Sequence, residues 1–337
     1  MSPAGRSGPH PVAAMVMATL LWGATFVVLR DSLAHLAPAA LVATRFSAAA
    51  MLFALAVLAR RRPLDRATVV GGAVTGLLTA GGYLFQAIGL TATSAGSSAF
   101  LTGTGTLLAA LFAWPLLRQR PTTWLVLGLL LAMAGSALLS LRGAWRVGVG
   151  EAWTLLGAAI YALQIVEVAR WAPRADAVAL TGIQAGVVAA CTLPFAGDLA
   201  GQLRSLDGAG WARVGYLAVC GSVVAPLLQV LAQRTLPAGR VGLLFALEPV
   251  FALGFAITAG GERFVARWWA GAALILCAVV MVEWREARSA AATPPPATAG
   301  GARGSSGRGG TGSRACRACR CRRPARRAGR RPGRASR

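Results

Sequence analysis

The stretch AGRVGLLFALEPVFALGFAIT, residues 238–258, decides how this sequence is read. It carries one cation, Arg240, close to an end and one acid, Glu248, near the middle. A helix rising about 1.5 Å per residue needs roughly 20 apolar residues to cross a hydrocarbon core of about 30 Å. Apolar runs of the same kind recur near 12–30, 38–59, 68–90, 96–117, 122–141, 150–169, 177–196, 211–233 and 267–284. Of the 337 residues, 56% are hydrophobic and 13% charged, whereas a soluble domain carries about 25% charged residues. The expected fold class is therefore an all-α membrane protein of about ten transmembrane helices. The first run alone would pass for a signal sequence, but it lacks a clear cleavage site and further spans follow at once, so it is read as a retained helix.

The same stretch belongs to an internal repeat. An offset of 143 in the numbering sets Ala238-Gly239 on Ala95-Gly96, Val250-Phe251 near Leu107-Leu108 and Gln229 on Gln86. An offset of 139 sets Ile160-Tyr161-Ala162-Leu163 on Leu21-Trp22-Gly23-Ala24 and brings Gln184 opposite Arg45. Each half then holds five spans, and an odd number of crossings forces the second half to enter the membrane upside down. Inverted five-helix repeats are a recurrent plan of secondary transporters, with the substrate site near the midplane between them. The expected division is an N-terminus at 1–11, a first repeat at 12–141, a second at 150–284 and a tail at 285–337.

The formal charge of +23 has to be located before it is interpreted. The segment 1–284 holds 19 Arg and 10 acidic side chains, while 285–337 holds 15 Arg against Glu286 alone. Most of the excess sits in the tail, and no nucleic-acid partner is expected. Flanking the spans, 11 Arg fall on one side of the membrane and 7 on the other. Short Arg-rich loops stay cytoplasmic, so both termini are expected there, in a multi-pass protein of the inner (plasma) membrane. The tail, with Pro294-Pro295-Pro296 and many Gly and Ser, lacks the apolar area to fold alone and is expected to be a disordered appendage drawn to anionic lipid. Cys316, Cys319 and Cys321 resemble half a zinc site without a second ligand pair, so no metal or other cofactor is expected. Cys191, Cys220 and Cys277 are read as small buried hydrophobes.

An ordered set of short motifs adds a resemblance. In the second half these are Ala232-Gln233-Arg234, Pro237-Ala238-Gly239-Arg240, Leu247-Glu248-Pro249-Val250-Phe251-Ala252, Gly260-Gly261-Glu262-Arg263 and Gly271-Ala272-Ala273-Leu274-Ile275. The first half adds Leu21-Trp22-Gly23, Thr44-Arg45-Phe46 and Ser98-Ala99-Phe100-Leu101-Thr102. Over residues 12–284 the chain resembles the drug/metabolite transporter superfamily, specifically its EamA-like branch. The resemblance implies the two-repeat fold and export of amino acids, other metabolites or drugs; fold is inherited more safely than substrate. The first repeat has Gly105-Thr106 where the second has Glu248-Pro249, so a Pro-bearing broken helix is expected in the ninth span more than in the fourth.

Polar residues inside the spans are the candidate site. Arg45 lies about 10 Å into the second span at the helical rise, where a charged side chain is normally sheltered or paired. It either snorkels to the interface or lines the outward half of a pathway, attracting a carboxylate or stabilising a gate. Glu248 lies too deep to snorkel, and Pro249 behind it removes a backbone donor and favours a kink where polar atoms face a cavity. Glu248 is a candidate proton carrier, weighed against a structural hydrogen-bonding role at that kink. Gln86 and Gln229, mid-span and repeat-related, offer donors and acceptors to a polar substrate, in competition with plain helix-to-helix hydrogen bonding. Trp22, Tyr83, Tyr161 and Gln164 are further cavity candidates. Asp31 and Glu262 are read as solvated caps, and Glu167 as a partner of Arg170.

The two histidines, His10 and His35, lie outside the spans, so a buried His-based hydrolase has no residues to use and an enzyme is not expected. The expected function is secondary transport, chiefly export, of small polar metabolites or drugs by alternating access. A flippase for a lipid-linked substrate and a non-transport receptor or scaffold are the alternatives. The expected partners are a small-molecule substrate and the lipid bilayer.

Overall fold

A computed structural model of the chain describes residues 10–61, 63–90, 92–93, 95–140, 148–258 and 265–292; the expectations for Glu262, the N-terminus and the tail lie outside these residues. Every described element is helical: α1 (Pro11–Ser32), α2 (Pro38–Arg60), α3 (Arg66–Leu90), α4 (Ala95–Gly103), α5 (Gly105–Leu117), α6 (Thr123–Ser140), α7 (Val149–Trp171), α8 (Ala177–Thr192), α9 (Leu199–Arg204), α10 (Gly208–Tyr216), α11 (Ala225–Ala232), α12 (Ala238–Phe245), α13 (Glu248–Thr258) and α14 (Ala266–Ala292). A π-helical segment, Leu217–Val224, joins α10 to α11. Counting α4–α5, α10–α11 and α12–α13 as single rods, 8 stretches are long and apolar enough to cross a membrane, and Pro11–Thr25 and Thr123–Leu139 are shorter apolar helices.

Local chemistry fixes the helix ends. Pro11 and Pro38 open α1 and α2, where a missing amide hydrogen costs nothing. The Asp176 and Asp207 carboxylates accept from Ala179 N at 3.0 Å and Gly210 N at 2.6 Å, capping α8 and α10. Asp65 accepts from Thr68 N at 2.7 Å before α3, and its hydrogen bonds to Thr68 hold its carboxyl below the usual range.

The repeat is written into the backbone. Leu33 N donates to Leu29 O, His35 N to Ser32 O and Leu41 N to Ala37 O; at the matching positions of the second half Ala172 N donates to Val168 O, Arg174 N to Trp171 O and Leu180 N to Asp176 O. These pairs keep the smaller of the two offsets, and the larger recurs at the helix breaks. Thr104 N donates to Leu101 O and Leu108 N to Thr104 O, and correspondingly Leu247 N donates to Leu244 O and Phe251 N to Leu247 O. Both the fourth and the ninth spans are therefore broken: the break expected in the ninth is present, and the fourth carries one as well. Proline is not what they share: Gly103 and Gly105 flank Thr104 and loosen the first repeat as Pro249 loosens the second.

Packing follows the same two-fold logic. Between the halves, the α3–α7 and α5–α7 contacts are answered by α11–α1 and α13–α1, and α6 packs on its own counterpart α14. In that last pair a Cβ at Gly271 would sit 2.6 Å from Gly135 O and 3.0 Å from Leu139 Cγ, while a Cβ at Gly128 would sit 2.5 Å from Val282 Cγ2 and 3.5 Å from Ala278 O. The larger repeat offset relates Gly128 to Gly271 and Gly135 to Ala278. In hydrocarbon, where apolar burial drives little association, such close backbone approach supplies the attraction.

Apart from one mid-span bond, from the Trp22 indole to Gly221 O, the polar bonds between the halves among the described residues lie at the two ends. At the end bearing Arg60, Arg118 and Arg240, Arg60 faces Asp176 at 3.8 Å, Asp176 N donates to Thr68 Oγ1 at 3.0 Å and Ala238 N donates to Gln119 Oε1 at 3.0 Å. At the other end Ala37 N donates to Gln202 Oε1 at 2.7 Å, and Thr93 Oγ1 donates to Glu151. Glu167 pairs with Arg170 at 3.2 Å, as expected from their spacing. Cys191 and Cys220 are half-buried, but Cys277 is exposed on the outer side of α14, contrary to expectation. A thiol is apolar enough to face hydrocarbon, so nothing forces it inward.

Candidate functional site

Pro226 determines one wall of the site. In the π-helical segment the bonding runs five residues back, so Ala225 N donates to Cys220 O. The next carbonyl in that register, Gly221 O, would take its hydrogen from position 226, which is proline and has none. The indole of Trp22 on α1 fills the gap, its Nε1 donating to Gly221 O at 3.1 Å. The same indole stacks on Phe245, the last residue of α12, with centroids 5.2 Å apart and planes 19° from parallel. Trp22 thus holds α1 against both interrupted rods. Trp22→Phe keeps the stack and removes the donor; leaving a desolvated carbonyl unpaired costs about 1–3 kcal/mol. A lower apparent melting midpoint in nanodiscs is expected, and Pro226→Ala, which restores an amide hydrogen, should make the loss smaller in the double variant. Additive losses would disprove this pairing.

Glu248 sits beside that wall, at the first residue of α13. The turn before it is tightened, with Ala246 N bonded to Leu243 O at 3.0 Å and Leu247 N to Leu244 O at 3.1 Å. Gly23 lets α1 close on this point: a Cβ there would lie 2.7 Å from Phe251 Cβ and 3.1 Å from Glu248 O. The Glu248 side chain is half-buried and makes no hydrogen bond or ion pair among the described residues. Pro249 follows as the second residue of α13.

Arg45 forms the second wall. It is 5% exposed, so it does not snorkel. Nη2 donates to Tyr83 Oη at 2.5 Å, and the guanidinium carbon lies 5.0 Å from the Phe46 ring centroid and 5.2 Å from that of Tyr83. Tyr83 meets Tyr161 edge to face at 5.8 Å, and Gly82 makes room for the Tyr161 ring on α7. Tyr161 lies within electrostatic reach of both Arg45 and Glu248. The structure therefore brings Arg45, Tyr83 and Tyr161 into one interior cluster, with Glu248 within electrostatic reach of Tyr161.

The glutamines divide. Gln86 Nε2 donates to Thr102 Oγ1 at 3.0 Å, just before the break in the fourth span. Gln229 is buried, and its amide donates to Gln164 Oε1 at 3.3 Å and Gln233 Oε1 at 3.0 Å, while Gln233 donates to Ile165 O at 2.7 Å. Gln164 and Gln229 thus join α7 to α11, the helix-to-helix role weighed against a place in the cavity. Sequence reasoning did not single out Pro226, Phe245, Thr102 or Gln233 as site residues. A proline three positions before Gln229 was the available signal for the π-helical segment.

Comparison with known proteins agrees with this architecture. Archaeoglobus fulgidus has an "uncharacterized transporter" 27% identical over 271 residues, 80% of this chain and 85% of that protein. The "uncharacterized inner membrane transporter YedA" of Escherichia coli K12 is 26% identical over 276 residues, 78% of this chain and 87% of that one. A protein of known crystal structure shares the fold at a TM-score of 0.68, with 22% identity over 83% of this chain and 98% of that one. The EamA-like transporter family profile matches twice, at residues 11–141 and 148–284. This chain is thus a multi-pass membrane protein that belongs to the EamA-like transporter family.

Proposed function

We propose that the protein is a secondary transporter that moves small polar metabolites or drugs, as an exporter, by alternating access of its two five-helix halves. The observation that carries this reading is Glu248: an acid without a partner among the described residues, at a helix break deep in the span, where Gly23 of α1 closes on its backbone. An unpaired ionisable group in a membrane interior is costly, so such groups mark substrate or ion pathways. Repeat-related breaks at Thr104 and Leu247 give each half a jointed rod beside that pathway. The bonds between the halves at both ends are individually weak, so one set can open while the other holds. Arg45, Tyr83, Tyr161, Gln86 and Trp22 line the route, and Gln164 and Gln229 hold its wall. The relative named as an inner membrane transporter and the Arg distribution support the inner membrane with both termini in the cytoplasm.

The test is flux through purified protein in proteoliposomes, using labelled amino acids, nucleosides, sugars, organic acids and cationic drugs in counterflow. Saturable uptake of one class, competed by its unlabelled form, is expected. Leakage indistinguishable from empty vesicles for every class would sink the reading.

A further inference from the structure

We infer that Arg45 is the anchor for a carboxylate on the transported solute, so that the preferred cargo is an organic acid group on a small apolar or aromatic body and not a cationic drug. The inference rests on the transport reading only for the location of the site. Arg45 is 5% exposed, yet its Nε makes no hydrogen bond and no acidic side chain lies within ion-pair distance among the described residues. Its one hydrogen bond goes to a neutral phenol, Tyr83 Oη, at 2.5 Å. A guanidinium carries five donors in a planar fork that matches a carboxylate's two oxygens, and burial strengthens that match.

The surroundings narrow the ligand. The Phe46 and Tyr83 rings, with centroids 5.0 and 5.2 Å from the guanidinium carbon, flank the cation without neutralising it. Phe46 and Tyr161 each meet Tyr83 edge to face at 5.8 Å, giving an apolar aromatic wall beside the charge. Glu248, within electrostatic reach of Tyr161, opposes a second negative charge near that ring. One anionic group facing Arg45, with a neutral or positive remainder, satisfies both walls.

Titratable side chains near it come from three further helices: Tyr83 from α3, Tyr161 from α7 and Glu248 from α13. The repeat-equivalent position on α8 is Gln184, whose Oε1 is itself without a donor. Arg45 is thus an interior cation that its own protein leaves short of acceptors among the described residues.

The experiment measures binding without flux, in phosphatidylcholine nanodiscs holding the full chain. Three probes of one skeleton are used: 3-phenylpropionate, 3-phenylpropanamide and 3-phenylpropylamine. The carboxylate is expected to raise the melting midpoint and to bind at least ~10-fold more tightly than the amide, the scale of a charge-assisted hydrogen bond. Arg45→Gln should abolish that preference, Arg45→Lys should retain part of it, and Tyr83→Phe should leave its sign unchanged. A preference for the amine, an undiminished carboxylate preference in Arg45→Gln, or no carboxylate binding at 10 mM (a ceiling of about 3 kcal/mol in affinity) would overturn the inference. So would a midpoint shift on adding phosphatidylglycerol that Arg45→Gln removes, since a headgroup would then own the cation. A protein that binds the carboxylate but moves no solute would fail the transport reading alone; one that moves amines would keep that reading and lose this inference.

Discussion

Gly271→Leu is expected to prevent recovery of folded, monodisperse protein. The first side-chain atom would lie 2.6 Å from Gly135 O, and a backbone oxygen inside a helix cannot step aside. Overpacking a close interface costs about 1–3 kcal/mol, and more where neither partner can yield. Membrane helices have little apolar driving force to absorb that loss. Gly128→Leu should be milder, because its nearest obstacle, Val282 Cγ2 at 2.5 Å, belongs to a side chain that can turn. Gly254→Leu is the control: nothing lies within 4 Å of a Cβ there, and hydropathy rises by the same amount. Size-exclusion profiles of the three variants read the order directly. Equal behaviour of Gly271→Leu and Gly254→Leu would show that α6 and α14 do not meet through these glycines.

Glu248→Gln is expected to lower flux by at least ~10-fold, the scale of losing one charge-assisted interaction, while insertion and melting behaviour stay near those of the parent. The substitution keeps shape and hydrogen-bonding capacity but removes the ionisable proton. Since Glu248 has no partner among the described residues, no ion pair is broken and the fold has little to lose. If Glu248 carries a proton in exchange for substrate, an imposed pH gradient should drive uptake in the parent and not in the variant. Full gradient-driven flux in Glu248→Gln would eliminate the proton-carrier role. A variant that fails to fold would instead identify the acid as part of the kink.

The spans were legible because apolar runs of this length have one solution in a bilayer, and the helices begin within a few residues of where charge and proline place them. The repeat was legible as two offsets, and both recur in backbone hydrogen bonds. Less visible was anything carried by a carbonyl. The pairing of Trp22 with Gly221 spans 199 positions and ends on an atom every residue has, so no motif betrays it. The break at Thr104 was less legible than the one at Pro249 for a related reason: glycines on either side permit it without demanding it, whereas Pro249 announces itself. Gln86 and Gln229 look alike in sequence, yet one faces a threonine across a half-buried gap and the other closes a network within the bundle. What separates them is the neighbour each helix happens to bring, Thr102 for one and Gln164 with Gln233 for the other.

The α6–α14 contact has a mechanical corollary. Two rods whose main chains touch, each missing the side chains that would act as rollers, behave as a hinge pin: they can twist about their crossing but cannot slide or part. Under the proposed alternating access, probes attached to the middles of α6 and α14 are therefore expected to keep a constant separation.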